Sequence, residues 1–436
     1  CSMSAMKPMK PMKRRAFLEG VVGSGALALA GISRSASAAV EIDRDELLEL
    51  ATALCRIPSF TTEESDCARF LHGHFQKLGF ESELQEVDPG RLQCIARLRG
   101  EGAGESLMLN GHIDIDPLPS GLTRNPFEPA AEGNMFFGAG IGNMKAGVAS
   151  MIAAATAAKR AGFPRRGELV LACVVGELQG GAGTAHLLRS GVKTDAAIVT
   201  EPHGAGNVLT KHAGVMQLAI HVLGRTAHIS RKEQGVNAIL KAGKVAQTLE
   251  TLKLAGKRDS ELPALPLLNV GSIIGGRGRN VELRGPNIVP DFATLYVDVR
   301  FTEGMTPETI LADLRRALDG LARDDRDLKY EIEFPMKPER RCLREVMMPF
   351  SVSPESPFVQ RVAKQVAAVR GSLPAVGVSL PSGYSGNDTS HLKAAGIPCC
   401  LYGPAGAPDG PERYLWASID EMMTCARVYG AMIAEL

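Results

Sequence analysis

Leu107-Met108-Leu109-Asn110-Gly111-His112-Ile113-Asp114 runs apolar for three residues and then turns through Asn-Gly into His-x-Asp. A short apolar run of this kind reads as a buried strand, and in layered α/β sheets ligands collect where such strands end. Three other places carry polar residues in the same kind of setting. Asn143 follows Gly138-x-Gly140, Glu177 follows Val174-Val175-Gly176, and Glu201 follows Ile198-Val199-Thr200. In His-x-Asp one imidazole can face a metal while the nearby carboxylate orients it. Alone the pair is more often structural; an ordered set of four points to a site.

Outward from this segment the pattern alternates. Helical periodicity over residues 42–54 and 64–78 gives way to strand-like runs at 81–87, 92–98 and 106–110, then to a long alanine-rich helix over 144–161. A strand at 169–175, a helix at 182–188 and a strand at 196–200 continue the alternation. This order predicts an α/β layered domain with a mostly parallel sheet. Near Lys211 the pattern changes to strands at 215–223, 267–274 and 293–301 with helices at 236–249 and 307–321. That is the pattern of a two-helix, antiparallel-sheet insertion. The α/β alternation resumes after Lys337 and closes with a strand at 397–402 and a helix from Ile419. The expected division is therefore 39–210 with 337–436 as the main domain and 211–336 as an inserted α+β domain.

A chain of 436 residues exceeds what one core usually supports, which agrees with two domains. The first 38 residues are of another kind. Arg14-Arg15-x-Phe17-Leu18 precedes a weakly apolar run and Ala36-Ser37-Ala38, the pattern of a twin-arginine export signal. Its glycines and short length argue against a membrane span, so a periplasmic or otherwise exported protein with no membrane association after signal removal is expected. Residues 1–38 hold six of the 49 Lys and Arg and one of the 48 acidic residues, which leaves the remainder near −4. Nucleic-acid binding has no electrostatic support there. Nine cysteines occur without a Cys-x-x-Cys pair, so neither a zinc ribbon nor a thioredoxin motif is indicated. Cys399 and Cys400 read as core residues of a strand.

Taken together, Gly111-His112-x-Asp114, Gly138-x-Gly140-x-x-Asn143-Met144-Lys145, Glu177 before Gly180-Gly181-x-Gly183-Thr184, and Glu201-Pro202 resemble the co-catalytic zinc exopeptidases and deacylases. That family includes acetylornithine deacetylase, succinyl-diaminopimelate desuccinylase, aminoacylase and carboxypeptidase G. Gly224-Arg225-x-Ala227-His228-x-Ser230, Asn387-Asp388 and Gly403-Pro404 extend the resemblance over nearly the whole chain after residue 38. It implies a hydrolase of amide or other C–N bonds in small acylated or amino-acid-like compounds, and a homodimer formed through the inserted domain. It also implies that Glu177 is the general base or, in another register, a surviving metal ligand, that Asp114 orients the site, and that His228 reaches from the insertion, usually the partner's, to stabilise an oxyanion. Asp388, Ser385 and Arg300 are the expected substrate-binding residues.

The family's first metal set carries over as His112, Asn143 and Glu201. The second does not: Leu178 stands where a ligating Glu is expected, and the final His falls near Pro408, with no histidine after His391. Two dications about 3.5 Å apart repel by roughly 19 kcal/mol at an effective dielectric constant of about 20, and anionic ligands must offset that. Asn143 offers a neutral amide. A two-metal site is therefore not expected, and the sequence leaves open one divalent ion, zinc or manganese, or none. A single ion would rest on His112 and Glu201, with help from Asn143, water or His203. Two alternatives stay beside the hydrolase reading: a metal-free or non-hydrolytic enzyme using Glu177, Asp114 and His228 for proton transfer, and an inactive small-molecule-binding homologue.

Overall fold

Ser106–His112 lies near the middle of an eight-stranded sheet, its neighbours Glu168–Val174 and Ala196–Val199 both parallel to it. The computed structural model describes residues 40–281, 287–337, 342–406 and 412–436. The expected export signal and Pro408 lie outside the described residues. From one edge the strands run Glu81–Asp88, Arg91–Arg99, Glu168–Val174, Ser106–His112, Ala196–Val199, Cys399–Leu401, Asn207–Leu209 and Ala375–Gly377. The first two pair antiparallel because only Pro89 and Gly90 join them, and so short a link cannot cross over to a parallel neighbour.

Helix Ala146–Arg160 is buried along almost its whole length, against helix Ile419–Ala434 and the sheet. Its alanines and Gly147 permit that approach. A Cβ on Gly147 would sit 2.2 Å from the Thr200 carbonyl oxygen, so only glycine fits here. Helix Arg44–Arg56 is closed at its N-terminus by Asp43, whose carboxylate accepts the Asp45 and Glu46 N–H groups. At its other end the fully buried Lys145 ammonium donates to the carbonyls of Leu54 and Ile57 at 2.8 and 3.0 Å. A cation thus meets the negative end of the helix and ties it to the turn that carries Asn143.

A second sheet, fully antiparallel, runs in the order Leu267–Gly276, Phe292–Phe301, Gly214–Leu223, Lys329–Glu333. Helices Ala238–Glu250 and Pro307–Asp324 pack on it around a separate core that includes Leu218, Val245, Leu295 and Leu314. The described residues nonetheless fall in one compact unit. Along the outer edge Leu267, Ile273 and Ile274 are exposed, and Ile239 and Leu240 are exposed on the adjoining helix. Seven buried cysteines, Cys399 and Cys400 among them, are thiols with no disulfide between them. No helix among the described residues is long and apolar enough to cross a membrane.

Candidate active site

Register places the site. His112 ends its strand opposite Val174, and Asn110 lies opposite Val199, so the residues that follow these parallel strands emerge side by side at the carboxyl edge of the sheet. Glu177 leaves through Gly176, whose φ of 68° is a conformation that suits glycine. A Cβ there would also meet the Arg91 guanidinium at 2.8 Å. Glu201 follows Val199 by two residues.

The three side chains converge. His112 Nε2 lies 4.0 Å from Glu177 Oε2 and 3.8 Å from Glu201 Oε1. Nδ1 donates to the Asp114 carbonyl at 3.0 Å, with the Asp114 carboxylate at 3.4 Å. That contact fixes the ring's orientation and leaves Nε2 toward the two carboxylates. Nε2 is buried and has no hydrogen-bond partner. Burial pulls the imidazole down, but Asp114, Glu201 and Glu177 outweigh it and hold His112 well above the usual range. Burial pushes Glu177 well up against the pull of His112, with Glu201 and Asp388 adding to the rise. Burial likewise lifts Glu201 to about 7, again opposed by His112. Each shift is in the direction that a nearby cation would reverse.

An orphaned imidazole nitrogen facing two carboxylates is a donor set that fits one divalent ion. Among the described residues these three form the only group of three or more His, Cys, Asp or Glu with ligand atoms this close together. Leu178, beside Glu177, offers no side-chain donor atom.

Above the trio opens a cavity of about 520 Å³, lined by Glu177, Glu201, Asn143, Ser385 and Arg300 among the expected residues. Arg300 is held by Asp298 at 2.6 and 3.2 Å. Two expectations are corrected. Asp114 does not line the cavity: its oxygens accept from the N–H groups of Glu177 and Leu178, each at 3.1 Å, and from the Thr61 hydroxyl at 3.3 Å. It is a positioning group whose lone pairs are committed, not a proton carrier. Asp388 is fully buried behind Gly181, outside the cavity lining, and burial lifts it to about 7. His228, expected to reach a partner's cavity, belongs to an exposed segment beside the second sheet, where Nδ1 meets Ser230 Oγ at 2.8 Å, and it is not part of the lining of its own chain's cavity.

Two other residues were missed. Asp116 lines the cavity, burial raises its pKa, and it accepts from Asn143 Nδ2 at 3.2 Å. Its signal was the continued alternation His112, Asp114, Asp116. Arg91 clamps the Glu177 turn, donating to Gln179 Oε1 at 2.6 Å while paired with the buried Glu64. Only the fold brings that arginine to residues 27 positions before it and 88 after it. His203, expected as a helper of the ion, lines the same cavity and is pushed down to about 4 by burial.

Against known proteins, the model of peptidase family M20/M25/M40 matches residues 108–435. The chain belongs to that family. Among relatives of this M20 chain, the N-formyl-4-amino-5-aminomethyl-2-methylpyrimidine deformylase of Bacillus subtilis is 25% identical over 416 residues, covering 89% of this chain and 94% of the relative. The succinyl-diaminopimelate desuccinylase of Methylorubrum extorquens is 27% identical over 405 residues, covering 88% and 97%. In structure the chain is similar to the di-peptidase Dug1p of Saccharomyces cerevisiae, with a TM-score of 0.71 at 14% identity over 93% of this chain and 100% of that one. That likeness supports the fold.

Proposed function

We propose that this M20 protein hydrolyses an amide or related C–N bond in a small acylated or amino-acid-like compound, with Glu177 as general base and one divalent ion held by His112 and Glu201, helped by Asn143. The carrying observation is the partnerless His112 Nε2, set between two buried carboxylates under a ligand-sized cavity. A divalent ion bound there supplies Lewis-acid polarisation of the scissile carbonyl. Glu177 takes the proton of the attacking water and delivers it to the leaving nitrogen, a role that suits a carboxylate whose burial has raised its basicity. The Leu178 and Glu177 N–H bonds to Asp114 fix that carboxylate's approach.

The relatives' substrates bracket the class: a formylated aminopyrimidine for one, a succinylated diamino acid for the other. Homodimer formation through the exposed apolar edge at Ile273 and Ile274 would cover those residues and give His228 a route to the partner's cavity; a single-chain mass by sedimentation would count against it. Export by the twin-arginine route remains part of the proposal, and retention in the cytoplasm would remove it. The function itself is tested by assaying protein supplied with zinc or manganese on N-formyl, N-acetyl and N-succinyl amines. Amine release that drops by about 10²–10⁴-fold in Glu177→Gln is expected. No release from any of them, or an unchanged rate in the variant, would overturn it.

A further inference from the structure

We propose that Asn387 is a substrate-binding residue whose side-chain NH₂ donates to a carbonyl or carboxylate oxygen carried on the amine half of the substrate. The proposal rests on the amide-hydrolase reading above and adds that the released amine bears such an oxygen.

Asn387 is 3% exposed and lines the cavity that holds Glu177 and Glu201. The direction of its amide is fixed by its own chain. The Thr389 backbone N–H, which can only donate, lies 3.1 Å from the amide oxygen, and the Thr389 hydroxyl meets the same oxygen at 2.7 Å. The oxygen is therefore the held end of the amide and the nitrogen the other. That Nδ2 makes no hydrogen bond, yet it is not one of the unpartnered polar atoms sealed from solvent. The open space that Asn387 meets is the cavity. An NH₂ fixed at a cavity wall with both hydrogens unused is a donor prepared for an acceptor.

The segment that carries it is firmly seated. The Gly383 carbonyl accepts from the Ala213 N–H at 2.8 Å, the Asn387 carbonyl accepts from the Ser390 N–H at 3.2 Å, and a Cβ on Gly386 would meet Val215 at 2.5 Å. This wall adjoins the Glu177 turn. Asp388, the next residue, packs against Gly181, whose N–H donates to the Glu177 carbonyl at 3.1 Å. Gly142, beside Asn143, sits instead against the Arg413 and Trp416 carbonyls. Glu177 delivers its proton to the leaving nitrogen, so the amine half of the substrate lies along the wall that carries Asn387. An oxygen on that half meets Nδ2, whereas an amine half without one leaves the donor unpaired and is rejected for it.

The test is isothermal titration of zinc-supplied Glu177→Gln protein, in which intact amides bind without turnover, with N-acetylglycinamide, N-acetylglycine and N-ethylacetamide. One or both of the first two should bind about tenfold tighter than N-ethylacetamide, the value of a hydrogen bond of this kind, and which one does so tells carboxamide from carboxylate. Adding Asn387→Asp keeps the oxygen that Thr389 holds and replaces only the NH₂. Adding Asn387→Ser keeps a hydroxyl acceptor for the Thr389 N–H and ends short of the cavity. Both substitutions should abolish the preference and leave N-ethylacetamide unchanged. In the otherwise unaltered enzyme Asn387→Ser should raise KM for the preferred compound about tenfold with kcat nearly kept. Equal binding of the three ligands, a preference that survives both substitutions, or equal weakening of all three would overturn the proposal. The two readings fail separately. Asn387-dependent binding without amine release sinks only the hydrolase, and amine release with KM indifferent to Asn387 sinks only this assignment.

Discussion

Glu201→Gln in metal-free protein should stabilise the fold at alkaline pH. Burial lifts the Glu201 carboxyl from 4.5 to about 7, His112 opposing, whereas an unfolded chain titrates it at about 4.3. The native state therefore binds this proton more tightly than the unfolded state. Its contribution to stability is complete below pH about 4.5 and is lost as pH rises to about 7. The rise from 4.5 to about 7, at about 1.4 kcal/mol per pH unit, sets the native-state cost of the ionised group at about 3–4 kcal/mol. Glutamine keeps the shape without the charge. Chelator-treated parent and variant should have equal urea midpoints near pH 4.5 and separate by about 3–4 kcal/mol at pH 8, the variant being the more stable. Saturating zinc should reverse the order, because the parent keeps an anionic ligand that the variant lacks. Parallel pH profiles, or a metal-free variant less stable than the parent at pH 8, would refute the reasoning.

Asp114→Asn should cost about 3 kcal/mol in urea denaturation at pH 7, because the new NH₂ must face an N–H or hydroxyl donor now bonded to the carboxylate; a loss under about 1 kcal/mol would mean those bonds are weak. Arg91→Met strands the fully buried Glu64 and should cost about 3–5 kcal/mol, with much of it recovered in the Arg91→Met, Glu64→Leu double variant. No recovery in the double variant would point to packing rather than charge. Asn143→Asp with Leu178→Glu supplies two added carboxylates and should let a second, weaker divalent ion bind, measured by chelator competition. Metal content unmoved by that pair would show that other residues limit it.

Much of the sheet was legible because its strands are short apolar runs closed by glycine, and their ends carry His112, Glu177 and Glu201. Strand order was not: the pairing of Ser106–His112 between Glu168–Val174 and Ala196–Val199 depends on crossovers that no local pattern encodes. Strand Lys329–Glu333 escaped notice because three of its five residues are charged, as suits an exposed sheet edge. The site divided along the same line. Residues adjacent in sequence to strand ends could be read off, whereas Arg91 and the place of Asp388 behind Gly181 follow from contacts across long stretches of chain. Asp114 was named correctly as a neighbour of the site, but only its three hydrogen-bond donors reveal that its lone pairs are committed.

Metal content per chain, measured by elemental analysis of protein purified without chelators, bears most directly on the site. One divalent ion per chain is expected, lost in His112→Ala, since His112 and Glu201, which are proposed to hold it, belong to the single His, Cys, Asp and Glu cluster among the described residues. Two ions per chain would contradict it.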